Sequence, residues 1–212
     1  MSTAVDSPPK PDAPTIMQVK ILFWGPGEAG KTTTYQRLME IFKHFQVSKG
    51  ISIATTDDRT LWNDSVHFKF PMIPGKLIIV LNIATTTGQE RFLATREYIL
   101  QNADGVVFVA DSSWGKMEEN LRSFEELRHF TQANHTPIII QLNKRDLPDA
   151  IGLLDFLMRM DLPISNKTFG GLQLVYETVA NSRQTVDKNI IRKMIIGLLE
   201  AVIRKNLFTN YG

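Results

Sequence analysis

The chain has 212 residues, no cysteine and a net charge of +2. Without cysteine there is no disulfide framework, no thiolate zinc site, and no prenyl or palmitoyl attachment, and Met1-Ser2-Thr3 offers no glycine for a myristoyl group, so no covalent lipid anchor is expected. A charge this small also argues against a nucleic-acid partner, and no apolar stretch approaches a membrane span, so a soluble cytoplasmic protein is expected.

Residues 1–16 carry Pro8, Pro9, Pro11 and Pro14 among Ser, Asp and Lys, a composition that buries nothing and predicts a disordered tail. The folded unit is expected over 17–208. Val19 to Trp24 is a short apolar run that ends in glycines, which predicts a buried strand. Lys31 to Phe45 places Tyr35, Leu38, Met39 and Phe42 at helical spacing. Gly50 to Asp64 shows no period and predicts a long loop. Ser65 to Phe70 and Lys76 to Ala84 predict a strand pair around Pro71, Pro74 and Gly75.

Gly105 to Ala110 predicts another buried strand and Met117 to Thr131 a helix with Leu121, Phe124 and Leu127 inward. Pro137 to Leu142 predicts a strand, Asp149 to Met160 a helix, and Leu172 to Tyr176 a last strand. Val186 to Lys205 is a long amphipathic helix with Ile191, Met194, Leu198 and Val202 inward. Apolar strands alternating with helices predict an α/β fold with a mostly parallel, six-stranded sheet covered on both faces. Such sheets place ligands at the carboxyl ends of their strands. The motifs lie at predicted strand ends.

Gly25-Pro26-Gly27-Glu28-Ala29-Gly30-Lys31-Thr32 fits both the phosphate-loop pattern and a dinucleotide pattern. Lys31 and Thr32 decide for the former. A dinucleotide site needs neither a cation nor a metal ligand there, and it wants an acidic residue near position 50, where Lys49, Gly50 and Ile51 stand. Gly25, Gly27, Glu28, Ala29 and Gly30 are expected to turn backbone N–H groups toward phosphates. Lys31 is expected on the β- and γ-phosphates, with Thr32 on magnesium and Thr33 beside them.

Asn143-Lys144-Arg145-Asp146 follows a predicted strand and matches the N-K-x-D motif of GTP-binding proteins. The Asp146 carboxylate can accept two N–H donors from the guanine edge, a pair adenine lacks. The wrong base leaves it short of partners at a cost on the order of 1–3 kcal/mol. Lys144 can lie along the nucleotide, and Asn143 can tie this loop to the phosphate loop. Glu177-Thr178-Val179-Ala180 is similar to the segment that supports the guanine in Ras-like proteins, with Val179 and Ala180 offering backbone groups. Gly88-Gln89-Glu90-Arg91 resembles the switch II core of Ras and Arf proteins, but Thr85 stands where that family has a metal-assisting Asp. Asp111, Asp57 and Asp58 are candidate substitutes.

Thr85, the Gly-Pro-Gly start of the phosphate loop and Asp58-Arg59-Thr60-Leu61 together resemble the prokaryotic MglA-type polarity GTPases, within the Ras-like superfamily. The resemblance runs over roughly residues 18–205, with Thr87 in place of that subfamily's Pro. It implies a molecular switch that binds GTP or GDP with magnesium and hydrolyses GTP slowly. Thr60 would join Thr32 on magnesium and also meet the γ-phosphate. Gly88 would donate its N–H to that phosphate, and Gln89 would orient the attacking water. Arg59 would act as an arginine finger from the same chain, a group worth roughly 10³–10⁵ in rate. Effectors and an activating protein, of roadblock type in that subfamily, would be the partners. The alternative expectation is a nucleotide-dependent scaffold with negligible hydrolysis.

Overall fold

The computed structural model describes residues 14–49, 65–73, 76–85, 100, 102–132, 134–168 and 171–209. Among these residues seven strands form one sheet: β1 (Thr15–Trp24), β2 (Gln46–Lys49), β3 (Ser65–Ile73), β4 (Leu77–Thr85), β5 (Gly105–Asp111), β6 (Ile138–Asn143) and β7 (Val175–Glu177). Their order across the sheet is β2-β3-β4-β1-β5-β6-β7. From β4 to β7 every pairing is parallel, while β3 runs antiparallel to both β2 and β4. Helices α1 (Lys31–Ile41), α2 (Met117–Thr131), α3 (Leu153–Arg159) and α4 (Thr185–Thr209) cover it.

The near-continuous apolar runs of β1 and β5 follow from this burial on two sides. Side chains alternate between faces along a strand. Ile21, Phe23, Val107 and Val109 therefore join Leu38 of α1 and Ile191, Met194, Leu198 and Val202 of α4 in one core. Leu22, Trp24, Val106, Phe108 and Ala110 join Phe124 and Leu127 of α2 and Phe156 of α3 in the other. Neither layer would be dry without its helices.

The sheet has seven strands rather than the six expected. The addition is β2, four residues with Val47 as its one strong strand former, too short and polar to announce itself. β1 begins at Thr15, inside the segment expected to be tail, because its early residues pair in parallel with β4 from Thr15↔Leu77 onward. Pro71 lies within β3 rather than in a turn. β2 pairs only as far as Phe68, so no ladder partner on that side asks for an N–H at Pro71, and the β4 register shifts between Pro71 and Ile73.

α1 stops at Ile41, and Lys43–Phe45 forms a separate 3₁₀ turn. α3 is shorter than the expected 149–160 because the preceding backbone is engaged elsewhere. Ile151 N donates to the Ser112 carbonyl at 2.7 Å, and Ala150 bridges to Ser113. β7 starts at Val175 because Gln173 bridges to Lys167 and Leu174 N donates to the Asn166 carbonyl. α2 spans the expected residues, and α4 extends the expected helix at both ends. Among the described residues no helix is long and apolar enough to cross a membrane. The expected loop 50–64 lies outside the described residues.

Candidate functional site

The phosphate loop connects β1 to α1. Gly25 has φ +146°, and a Cβ there would run into the Val109 carbonyl of β5. Only glycine lets the chain leave β1 so close to its neighbour. Gly30 has φ +104° and caps α1 in the left-handed region, and among the described residues no side-chain cap bonds the helix N-terminus. The first turn of α1 also carries no acidic residue. Its N–H groups and dipole are thereby left for an anion. Glu28, exposed and at φ +61°, holds the left-handed turn between the two glycines. Among the described residues nothing lies within 4 Å of a Cβ at Gly27, so their packing does not demand glycine there.

Lys31 is buried, and its Nζ donates to the Gly25 carbonyl at 2.8 Å and the Pro26 carbonyl at 2.6 Å. The ammonium is thus held across the mouth of the loop by oxygens of the loop itself. Thr32 stands exposed in the first turn of α1 and Thr33 is half-buried beside it.

Asn143 ends β6 and joins three segments far apart in the chain. Its Nδ2 donates to the Ala29 carbonyl at 2.9 Å. Its Oδ1 accepts from Thr178 Oγ1 at 3.1 Å and from Ala180 N at 3.0 Å. Gly30 again has to be glycine, since a Cβ there would strike Asn143 Nδ2. One pocket results, lined by Glu28, Gly30 and Thr33 from the phosphate side and by Asn143, Lys144, Asp146, Leu147, Ala180 and Asn181 from the other. Val179 is half-buried and is not among the lining residues; Asn181 takes that place.

A second set of polar contacts supports this junction, and no motif points to it. Gln141, fully buried in β6, donates to Thr34 Oγ1 of α1 and to Thr178 Oγ1, both at 2.9 Å. Thr34 in turn donates to the Gly30 carbonyl at 3.0 Å. A glutamine at an inward position of an otherwise apolar strand was the available signal. Buried polar groups are held by partners, and these partners come from two distant segments.

Asp111 was a candidate to replace the missing acid at Thr85. The structure gives its carboxylate other work. It accepts Lys144 Nζ at 2.6 Å, and Ser113 donates to it through N at 3.0 Å and Oγ at 2.6 Å. Burial pushes the Asp111 carboxyl up, but the hydrogen bonds from Lys144 and Ser113 outweigh it and hold the group below its ordinary value. Lys144, at φ +64°, has its carbonyl fixed by Ser112 Oγ at 2.9 Å. Asp111 and Ser112 therefore shape the loop that carries Asp146.

Thr85 ends β4 opposite Phe23 of β1; it is buried, and among the described residues its hydroxyl has no hydrogen-bond partner. Among the described residues no group of three or more His, Cys, Asp or Glu side chains is placed to hold a metal ion. Magnesium commonly takes one or two protein oxygens and completes its shell with phosphates and water. The exposed Thr32 hydroxyl and the unpartnered Thr85 hydroxyl fit such a sparse, oxygen-only donor set. Arg59, Thr60, Gly88 and Gln89, with Asp57 and Asp58, lie outside the described residues.

The family described as Ras of Complex, Roc, domain of DAPkinase matches residues 20–146. The chain is 40% identical to the mutual gliding-motility protein MglA of Myxococcus xanthus over 137 residues, which make up 62% of this chain and 70% of that protein. It is 26% identical to ADP-ribosylation factor-like protein 14 of Mus musculus over 144 residues, 67% of each.

Proposed function

We propose, from the premise that this chain belongs to the Ras-like GTPase family, that it is a magnesium-dependent switch whose slow GTP hydrolysis is accelerated by an activating protein. The observation that supports this reading best is the Asn143 side chain, bonded at once to the phosphate loop and to the 178–180 segment. A ligand in that pocket would be held at two ends a fixed distance apart, as a nucleoside phosphate requires. Asp146, on the pocket wall, would take the N1 and 2-amino donors of guanine.

At the other end, Lys31 would exchange the loop carbonyls for β- and γ-phosphate oxygens, strengthening contacts to a more highly charged acceptor. Loop N–H groups and the uncapped start of α1 would complete the cradle. Magnesium, when bound, supplies charge neutralisation between the two phosphates. Thr32 would hold it directly, with Thr60 as the second protein ligand. Thr85 would reach it through water, where a carboxylate would have contributed charge.

Gly88, Gln89, Arg59 and Thr60 would sense the γ-phosphate. Gln89 would orient the attacking water, and Arg59 would offset charge on the transferring phosphoryl group. Loss of the γ-phosphate would release both segments, and effectors would read the difference. One named relative is a gliding-motility protein. For this chain we place the switch in the cytoplasm, with a roadblock-type protein as activator.

Calorimetry with GDP, GTP and ATP, followed by phosphate release from wild-type protein and from Q89A and R59A, tests the reading. Uptake of the guanine nucleotides with hydrolysis that falls in both variants is expected. Equal affinity for ATP would remove the role given to Asp146. Undiminished release in either variant would remove that residue's catalytic role.

A further inference from the structure

Arg37 lies on α1, six residues after Lys31, and is buried although charged. Its Nε donates to the Ala180 carbonyl at 3.2 Å and its Nη2 to the Asn181 carbonyl at 3.1 Å. Its Nη1 donates to Glu40 Oε2 at 2.6 Å, and Glu40 also meets Lys188 of α4 at 3.5 Å. Ala180 and Asn181 line the base side of the pocket, while the helix that carries Arg37 begins with Lys31 and Thr32.

We infer that Arg37 is a positioning residue for guanine discrimination: it clamps the 180–181 wall to the phosphate-binding helix and so fixes where the base sits relative to Asp146. This rests on the guanine-nucleotide reading above and assigns the wall's position to one side chain.

The chemistry favours arginine. A guanidinium is planar, and its fork can reach two successive carbonyls and a carboxylate from one buried spot. A lysine ammonium at the end of a flexible stem cannot hold all three at once. An apolar side chain would leave the buried Ala180 carbonyl without that donor and the part-buried Asn181 carbonyl without its tie to the helix. The wall has other ties, Ala180 N to Asn143 and Thr178 to Gln141. Those act on the segment's N–H and hydroxyl side. Arg37 alone among the described contacts takes the carbonyls of 180 and 181. Losing it frees the wall to shift without detaching it.

Such a shift has a specific signature. Asp146 distinguishes guanine from hypoxanthine by the second hydrogen bond, to the 2-amino group, and that bond depends on where the base is seated. The test measures dissociation constants for GDP and for inosine diphosphate, which lacks that amino group. It compares wild type, R37M and R37K, with the melting temperature of each. Wild-type protein that takes up neither nucleotide overturns this inference and the guanine-nucleotide reading together.

With GDP bound by the wild type, the preference for GDP over inosine diphosphate should fall roughly tenfold in R37M. It should recover in part in R37K. Equal loss for both nucleotides, or no loss, overturns the positioning role and leaves the guanine-nucleotide reading intact. If R37M does not fold, R37K carries the test alone. A reduced preference then supports the inference and an unchanged ratio overturns it.

Discussion

The two ends of the pocket are built by different means. The phosphate end is made of backbone: left-handed turns at Gly25, Glu28 and Gly30, carbonyls that hold Lys31, and an uncapped helix start. The base end is made of side chains that bond across long chain separations: Asn143 to Ala29 and Ala180, Gln141 to Thr34 and Thr178, Asp111 to Lys144. The first end works through the shape of eight consecutive residues. The second exists only once α1, β5, β6 and the 178–181 segment have met. Substitutions at the first should therefore cost binding. Substitutions at the second should cost binding and stability together.

The largest effect is expected at the phosphate end. K31A should lower GDP affinity on the order of 100-fold or more, because charge-assisted hydrogen bonds to phosphate are lost. Calorimetry reads the affinity and urea unfolding the stability, and the stability loss should be the smaller. N143A should break the comparison from the other side. It leaves the Ala29 carbonyl, the Thr178 hydroxyl and the Ala180 N–H without this partner. A loss of about 2–4 kcal/mol in urea unfolding is expected, with GDP binding weakened as well. If N143A unfolds at the wild-type midpoint, the two ends do not differ in the way described.

T178V sharpens the distinction within the base end. It removes one hydroxyl that accepts from Gln141 and donates to Asn143, and should cost about 1–2 kcal/mol by the same measurement.

The smallest effect is a pH dependence. The folded Asp111 carboxyl lies below its ordinary value of 3.8, so its contribution to stability is complete above that value. It is lost as pH falls through the lower, folded value. Wild type should therefore lose stability below about pH 4 more steeply than D111N. Parallel slopes would show that the Lys144 pair adds nothing to the loop's hold.

The legible part of the fold was the part with strong local pattern. β1, β5 and β6 are apolar runs bounded by turn residues, and α2 and α4 carry their inward side chains at helical spacing. β2 escaped because four largely polar residues become a strand only when β3 supplies the ladder. The ends of α1 and α3 were misplaced because they are decided by what neighbouring backbone does. Residues 150–151 pair with 112–113 instead of turning into helix.

The site divides the same way. Gly25 to Thr32 and Asn143 to Asp146 were legible because phosphate and guanine impose residue types at fixed, short spacing. Asn143's link to the phosphate loop was also anticipated. The bonds of Gln141, Thr34, Thr178 and Arg37 were not, even though Thr178 lies in the segment read as supporting the guanine, since nothing in their own neighbourhoods names a partner in a distant segment. Asp111 is one of three candidate acids for the metal, with Asp57 and Asp58, offered by its place at a strand end, and only its distances to Lys144 and Ser113 show it at work in the base loop.

The sequence by itself determined the strands and helices of a mostly parallel α/β sheet, β2 excepted, and which two loops carry phosphate and guanine chemistry. Local sterics and hydrophobic period act over a few residues, so a linear reading captures them. The tertiary structure alone decided how those loops are joined and which buried polar groups hold them, including the Arg37 clamp. A hydrogen bond needs its two atoms about 3 Å apart, and for residues more than a hundred positions apart only the packed sheet and helices fix that distance.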